Sequence, residues 1–224
     1  MGFIVAIDGP AGSGKGTVTK IIAEKEKLIS IDTGAMYRCV ALNCLKENIS
    51  ELDIEGVEKV LKNIKIEFKN DDGKQLVLLN NNDVTEEIRT TKVDSVVAKY
   101  AALKCVREKL TPMQQKIGET QDIIMEGRDI GTTVFPNADV KIFLECSTEE
   151  RAKRRYIQNQ QKGIKCTYEE ILKEIIERNK LETEREISPF VKADDAIVVD
   201  STKLTIEQVV DEIIKIIKTK KGEK

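Results

Sequence analysis

Gly9-Pro10-Ala11-Gly12-Ser13-Gly14-Lys15-Gly16-Thr17 decides the reading of this chain, because G-x-x-x-x-G-K is the core of a phosphate-binding loop. The apolar run Phe3 to Asp8 before it reads as a buried strand. After it, Val18, Ile21 and Ile22 fall at helical spacing within Lys15 to Lys27. Strand, glycine-rich turn and helix in that order are the context the motif requires. In such a turn the backbone N–H groups face inward as an anion nest, and the helix N-terminus adds a positive dipole end. Lys15 then reaches the β- and γ-phosphates of ATP, and a hydroxyl is needed for magnesium. Gly16 stands where Ser or Thr is usual, so that hydroxyl falls to Thr17.

Working outward, Asp122 to Met125, Val140 to Leu144 and Ala196 to Val199 read as further buried strands separated by helical stretches. That alternation predicts an α/β fold with a mainly parallel sheet. Lys65 to Phe68 and Gln75 to Leu79 alternate around Asn70-Asp71-Asp72-Gly73, which predicts a β-hairpin inserted into the α/β pattern. Residues 148 to 188 are highly charged and break at Lys162-Gly163, as two helices joined by a turn would. From Thr205 to Lys218 the residues Ile206, Val209, Val210, Ile213, Ile214 and Ile217 form one apolar helix face. A chain of 224 residues is sized for one core with insertions, so 1–224 is expected to be a single domain.

Charge and composition remove several classes of function. With 37 Lys+Arg against 39 Asp+Glu the net charge is -2, which gives no reason to expect a nucleic-acid partner. The start, Met1 to Gly9, lacks a basic n-region and a cleavage site, and no stretch approaches the roughly 18 apolar residues of a membrane span. A cytoplasmic protein with no membrane partner is expected. Gly2 does not extend to a myristoylation signal, because Ala6 stands where Ser or Thr is needed. Cys39, Cys44, Cys105, Cys146 and Cys166 are scattered without CxxC spacing and histidine is absent, so isolated buried thiols are expected rather than zinc sites or disulfides. Without histidine the chemistry must run on carboxylates, lysine, arginine or a metal, which favours phosphoryl transfer.

Two further segments follow strands. Ile31-Asp32-Thr33-Gly34-Ala35-Met36-Tyr37-Arg38 comes after Leu28-Ile29, and Met125-Glu126-Gly127-Arg128-Asp129-Ile130-Gly131-Thr132 ends another strand. Open α/β sheets bind ligands at such carboxyl ends. Asp8, Asp32 and Glu126 could each order water on magnesium or cap a turn, with Asp32 the first choice. Arg151, Arg154 and Arg155, at i, i+3, i+4, form either a solvated helix face or, at Arg154, a contact with ATP or transition-state charge.

Through G-P-A-G-S-G-K-G-T, I-D-T-G-A-M-Y-R, E-G-R-D-I-G-T and K-I-F-L-E, the chain resembles the bacterial cytidylate kinases over almost its whole length. V-R-E at Val106 to Glu108, E-R-A-K-R-R at Glu150 to Arg155, R-E-I-S-P at Arg185 to Pro189 and the hairpin extend the likeness, and G-K-G-T is the variant seen in nucleoside monophosphate kinases. The resemblance implies a three-layer α/β/α P-loop core, a monophosphate-binding insertion around 40–105 and a helical lid around 150–185. It implies transfer from ATP to CMP or dCMP with magnesium as cofactor; a monomer is the expected state. Carried over by position, Arg38, Arg128 and Arg185 grip the acceptor phosphate, Arg107 and Asp129 contact the cytosine, and Arg178 and Glu182 face the sugar. Asp32 and Thr33 complete the substrate set. Lys15, Arg128, Arg154, Arg178 and Arg185 form the expected catalytic set.

Guanidinium forks suit this task, because a dianionic acceptor facing another polyanion needs charge compensation with fixed geometry. For Arg38, Arg107 and Arg128 the plain alternative is a surface ion pair. Two departures bear on selectivity. Ala98 stands where some relatives have a base-contacting serine, with Ser95 one helical turn away, and Glu182 replaces an aspartate. The nearest rival is another small P-loop kinase, acting on AMP, UMP, dTMP or shikimate. A nucleotide-dependent switch protein is remote, because Gly16 follows Lys15 and Asn179-Lys180-Leu181-Glu182 lacks the aspartate of N-K-x-D.

Overall fold

The apolar runs become strands in the computed structural model, which describes residues 2–71 and 74–222. In chain order the strands are β1 (Ile4–Asp8), β2 (Ile29–Asp32), β3 (Ile66–Asp71), β4 (Lys74–Leu79), β5 (Asn82–Asp83), β6 (Ile123–Gly127), β7 (Val140–Glu145) and β8 (Ile197–Asp200). The helices are α1 (Lys15–Glu26), α2 (Thr33–Lys46), α3 (Ile54–Asn63), α4 (Thr91–Ala102), α5 (Lys104–Ile117), α6 (Thr148–Gln161), α7 (Tyr168–Glu184) and α8 (Ile206–Lys221). Their contacts divide the chain into two compact units, Met1–Asp32 with Gln115–Lys224, and Thr33–Gln114.

The first unit holds a five-stranded sheet in the order β2-β6-β1-β7-β8, parallel throughout. Central β1 is buried at every position, which is why Ile-Val-Ala-Ile-Asp runs apolar instead of alternating. Edge strand β8 leaves Ile197 and Val198 exposed. One core joins the sheet to α1 and α8 through Val5, Ile7, Val18, Ile22, Ile142 and Ile213. Strand order turns about β1: the chain moves from β1 out to β2, returns to β6 beside β1, then crosses to β7 on the other side. The carboxyl ends of β1 and β6 are therefore neighbours at a topological switch point, with Asp8 opposite Gly127.

The second unit packs α2, α3, α4 and part of α5 with the antiparallel sheet β3-β4-β5 around Cys39, Val40, Val57, Val97, Tyr100 and Leu110. The expected hairpin is present. Asp72-Gly73 of its turn lie outside the described residues, and β5 adds a strand the pattern did not announce. The expected 40–105 insertion falls within this unit.

Element ends differ slightly from expectation. The last strand is displaced by one residue, and α8 continues to Lys221, where Gly222 adopts the left-handed cap. The charged segment does form two helices, with the chain turning after Gln161. All five cysteines are outside any disulfide, Cys39, Cys44 and Cys146 buried and the other two half-buried. Among the described residues no helix is long and apolar enough to cross a membrane.

Thr205 caps α8 with a reciprocal box, its hydroxyl accepting from Gln208 N–H while the Gln208 side chain accepts from Thr205 N–H. Thr205→Ala removes half of this box, and an equilibrium urea titration is expected to show about 1 kcal/mol of lost stability.

Candidate active site

The loop from Gly9 to Gly14 joins β1 to α1. Gly12 (φ 80°) and Gly14 (φ 91°) hold left-handed backbone that other residues adopt only with strain, so the two glycines let the loop curl over the helix N-terminus. Lys15 opens α1 with its side chain buried; its ammonium donates to the carbonyls of Gly9 and Pro10, both at 2.7 Å. Burial, then the nearby Arg128 charge, lowers its pKa from 10.5 to about 7, against the pull of Glu126, Glu182 and Asp8. Thr17 is exposed on the first turn of α1.

Arg128 and Asp129 follow β6 directly. Glu182 on α7 receives Arg128 Nε at 2.7 Å on one carboxylate oxygen and Arg178 Nε at 2.9 Å on the other. Arg178 and Glu182 are i and i+4 on one helix, the spacing at which such side chains meet. Burial alone would raise the Glu182 pKa, but the Arg128 and Arg178 charges overcome it and hold the carboxyl down at about 2. Burial also opposes the Arg128 charge, and Glu182, Glu126 and Asp8 more than offset it, leaving its pKa raised. The Arg128 guanidinium stands 5.9 Å over the Phe190 ring, which itself stacks on Phe143 at 5.5 Å. Arg185 donates from Nε to the Ser188 carbonyl and places Nη2 3.5 Å from Asp129.

Arg154 lies along the loop. It pairs with Glu150 at 3.0 Å and donates to the carbonyls of Ser13 at 3.4 Å and Ser201 at 2.8 Å. The first unit thus gathers Lys15, Arg128, Asp129, Arg154, Arg178, Glu182 and Arg185 at the carboxyl ends of its strands and on α6 and α7. Asp32 ends β2 and Thr33 opens α2, the latter buried. Arg38 and Arg107 belong to the second unit. There Arg38 Nε donates to Asp94 at 3.2 Å, while buried Arg107 donates to the Ala101 carbonyl and lies 5.3 Å over the Tyr37 ring. Ser95 on α4 donates to the Lys92 carbonyl.

Two residues had roles that motif reading did not assign, and a third, Asp8, caps a turn, one of the two roles expected of it. Arg151 is buried, not solvated, and donates to the carbonyls of Ala11 and Cys146 and to Asn179 and Thr148, bracing the phosphate loop against α6 and α7. Its spacing with Arg154 and Arg155 gave the cluster but not which member turned inward. Ser201 donates to the carbonyls of Ser13 and Glu145. Asp8 accepts from the Ile130 and Gly131 N–H groups, each at 2.8 Å. Burial raises the Asp8 pKa to about 6 in spite of those two hydrogen bonds, so its neutral form is favoured and the resulting stability is lost as pH rises through about 6. Beside Pro10, Phe143, Arg151, Asn179 and Thr202 opens a cavity of about 440 Å³.

A family model for cytidylate kinase matches residues 5–219. The chain belongs to the cytidylate kinase family. It is similar to the cytidylate kinase of Bacillus subtilis (strain 168), 48% identical over 216 residues that cover 96% of each chain. It is likewise similar to that of Bacillus cereus (strain ATCC 10987 / NRS 248), 46% identical with 95% of each covered. Among solved structures, an uncharacterized protein from Eubacterium ventriosum ATCC 27560 aligns with a TM-score of 0.55 at 14% identity, covering 98% of this chain and 99% of that one. Shikimate kinase from Bacteroides thetaiotaomicron aligns at 0.50 and 13%, covering 96% and 98%. At such identities these two speak for the fold alone.

Magnesium fits the donor set of this family member. Among the described residues no group of three or more His, Cys, Asp or Glu could hold a metal by itself. Thr17 and Asp32 offer oxygen atoms only, which suits an ion that keeps most of its shell as water and nucleotide phosphate.

The buried Glu182 bridge predicts a pH-dependent stability. Because its pKa is lowered from 4.5 to about 2, its contribution is present above pH 4.5 and lost as pH falls through about 2. Glu182→Gln, which leaves two arginines without their counter-charge, is expected to lose about 3 kcal/mol at pH 7 in urea unfolding. The gap from wild type should narrow between pH 4.5 and 2.

Proposed function

We propose that this family member transfers the γ-phosphoryl group of ATP to CMP or dCMP, giving ADP and CDP or dCDP. One observation carries the reading: buried Lys15 opens α1 directly after the glycine-rich loop, and half-buried Arg128 follows β6, the strand paired with β1. Cations are assembled in a low-dielectric site against their mutual repulsion where polyanionic oxygens are to be received.

In this proposal the loop from Gly9 to Thr17 and Lys15 hold the ATP phosphates, and Arg154 lies along the γ-phosphate. Arg128 and Arg185, with Arg38, hold the acceptor phosphate. Arg107 and Asp129 read the cytosine, Arg178 and Glu182 stand toward the sugar, and Asp32 and Thr33 complete the acceptor set. Thr17, and Asp32 through water, would hold magnesium, which supplies charge neutralisation at the β- and γ-phosphates when bound. An acceptor phosphate oxygen attacks the γ-phosphorus in line. Its second ionisation lies near pH 6, so no strong base is needed. The transition state is loose, and positioning with charge compensation supplies the rate. Water competes as acceptor, and the helices around 150–185 closing over substrate would exclude it. We further propose that the enzyme works as a cytoplasmic monomer on free nucleotides.

A coupled ADP-release assay with ATP and magnesium, offering CMP, dCMP, UMP, AMP and dTMP in parallel, tests this. CMP and dCMP are expected to dominate, with slow ADP release in the absence of acceptor; dominance by another monophosphate would remove the cytosine assignment of Arg107 and Asp129. Arg128→Ala is expected to lower kcat by about 100-fold or more, the scale of one lost preorganised donor. A kcat near wild type would remove Arg128 from the transition state.

A further inference from the structure

The turn that carries Arg128 and Asp129 is held from a distance. Immediately after Asp129 the chain winds into a single π-helical turn, Ile130–Val134, closed by the Asp129 carbonyl, which accepts from Thr133 and Val134. The first N–H groups of such a turn have no partner within it. Those of Ile130 and Gly131 are taken by the two carboxylate oxygens of Asp8, each at 2.8 Å, across 122 and 123 positions of sequence. A Cβ at Gly131 would meet Asp8 Oδ2 at 3.4 Å, ordinary van der Waals contact, and press on Lys141 Cδ at 3.2 Å. Asp8 is also the last residue of β1, directly before the phosphate loop, and 5% exposed.

We propose that Asp8 is a positioning residue for the acceptor: by holding the Ile130 and Gly131 N–H groups it fixes the direction in which Arg128 and Asp129 leave β6. The proposal rests on the kinase reading above for the identity of the acceptor, and on the two hydrogen bonds for the positioning itself. One carboxylate at the end of β1 thus holds the turn that leads out of the acceptor strand. Three further charged groups act on it, Lys15 from α1 and Arg128 and Asp129 after β6; Lys141 of β7 lies beside Gly131, its ammonium engaged by the Pro136 carbonyl and Asp195.

Asp8→Asn keeps the shape but offers one acceptor and turns a donor toward the second N–H. Burial already opposes the Asp8 charge, so this variant is expected to fold. Backbone amide exchange followed by NMR should show Ile130 and Gly131 exchanging on the order of tenfold faster or more, with the amides of β1 and α1 unchanged. In steady-state kinetics kcat/KM for CMP should fall by on the order of tenfold or more, while the ATP dissociation constant by calorimetry moves less than about twofold. A pH–rate profile cannot stand in for this test, since the acceptor phosphate titrates near pH 6 itself. Should Asp8→Asn fail to fold, Asp8→Ser retains a single acceptor and is expected to free one of the two amides.

Unchanged exchange at both amides overturns the proposal. So does an increased magnesium requirement with exchange unchanged, which would make Asp8 an organiser of metal-bound water. Exchange quickened throughout the first unit overturns it as well, because Asp8 would then be general scaffold. If wild-type enzyme ignores cytidine monophosphates yet the two amides respond as expected, the kinase reading fails and the hydrogen-bonded control of the turn stands.

Discussion

Two positive charges, buried Lys15 and half-buried Arg128, constrain the rest of the first unit. Each suffers from burial, and the Arg128 charge further lowers the Lys15 pKa toward about 7. Asp8, Glu126 and Glu182 make the arrangement tolerable, all three acting to keep Arg128 charged. A buried ionic cluster seldom repays its desolvation in stability, so its presence is better read as serving function than as holding the fold together. Burial disfavours the Lys15 charge, whereas Arg128, paired with Glu182, has its charge favoured.

Glu182 stands between two arginines. With both oxygens occupied by arginines, its first physical duty is as counter-ion to Arg128 and Arg178. Asp129 and Arg185 form a second pair nearby, both buried. Arg128, Arg178 and Arg185 are thus fixed in pairs with acids, which in the proposed reaction lowers the reorganisation required when a phosphate binds.

Much of this was legible because local rules suffice: an apolar run, a glycine-rich turn and a lysine at the helix start specify β1, the loop and α1 with no help from the rest of the chain. The i, i+4 spacing of Arg178 and Glu182 is equally local. The partnership of Glu182 with Arg128 spans 54 positions, and that of Asp8 with Gly131 spans 123, so neither leaves a periodic trace. The π-turn at Ile130-Gly131-Thr132-Thr133-Val134 was illegible for a related reason. Its glycine and β-branched residues favour no helix, and a carboxylate from another strand holds its first amides. The inward turn of Arg151 was hidden because helical spacing gives a face but not what covers it.

Gly16 joins the local and the distant. The usual phosphate loop has Ser or Thr after its lysine, and the sequence alone offers no reason for glycine there. In the folded chain a Cβ at position 16 would stand 3.0 Å from Glu126 Oε1. The end of β6 places a carboxylate beside the first turn of α1, and a side chain at 16 would ask its flexible end to give by a few tenths of an ångström. Glycine at 16 spares that adjustment and leaves Glu126 among the groups that act on the charges of Lys15 and Arg128.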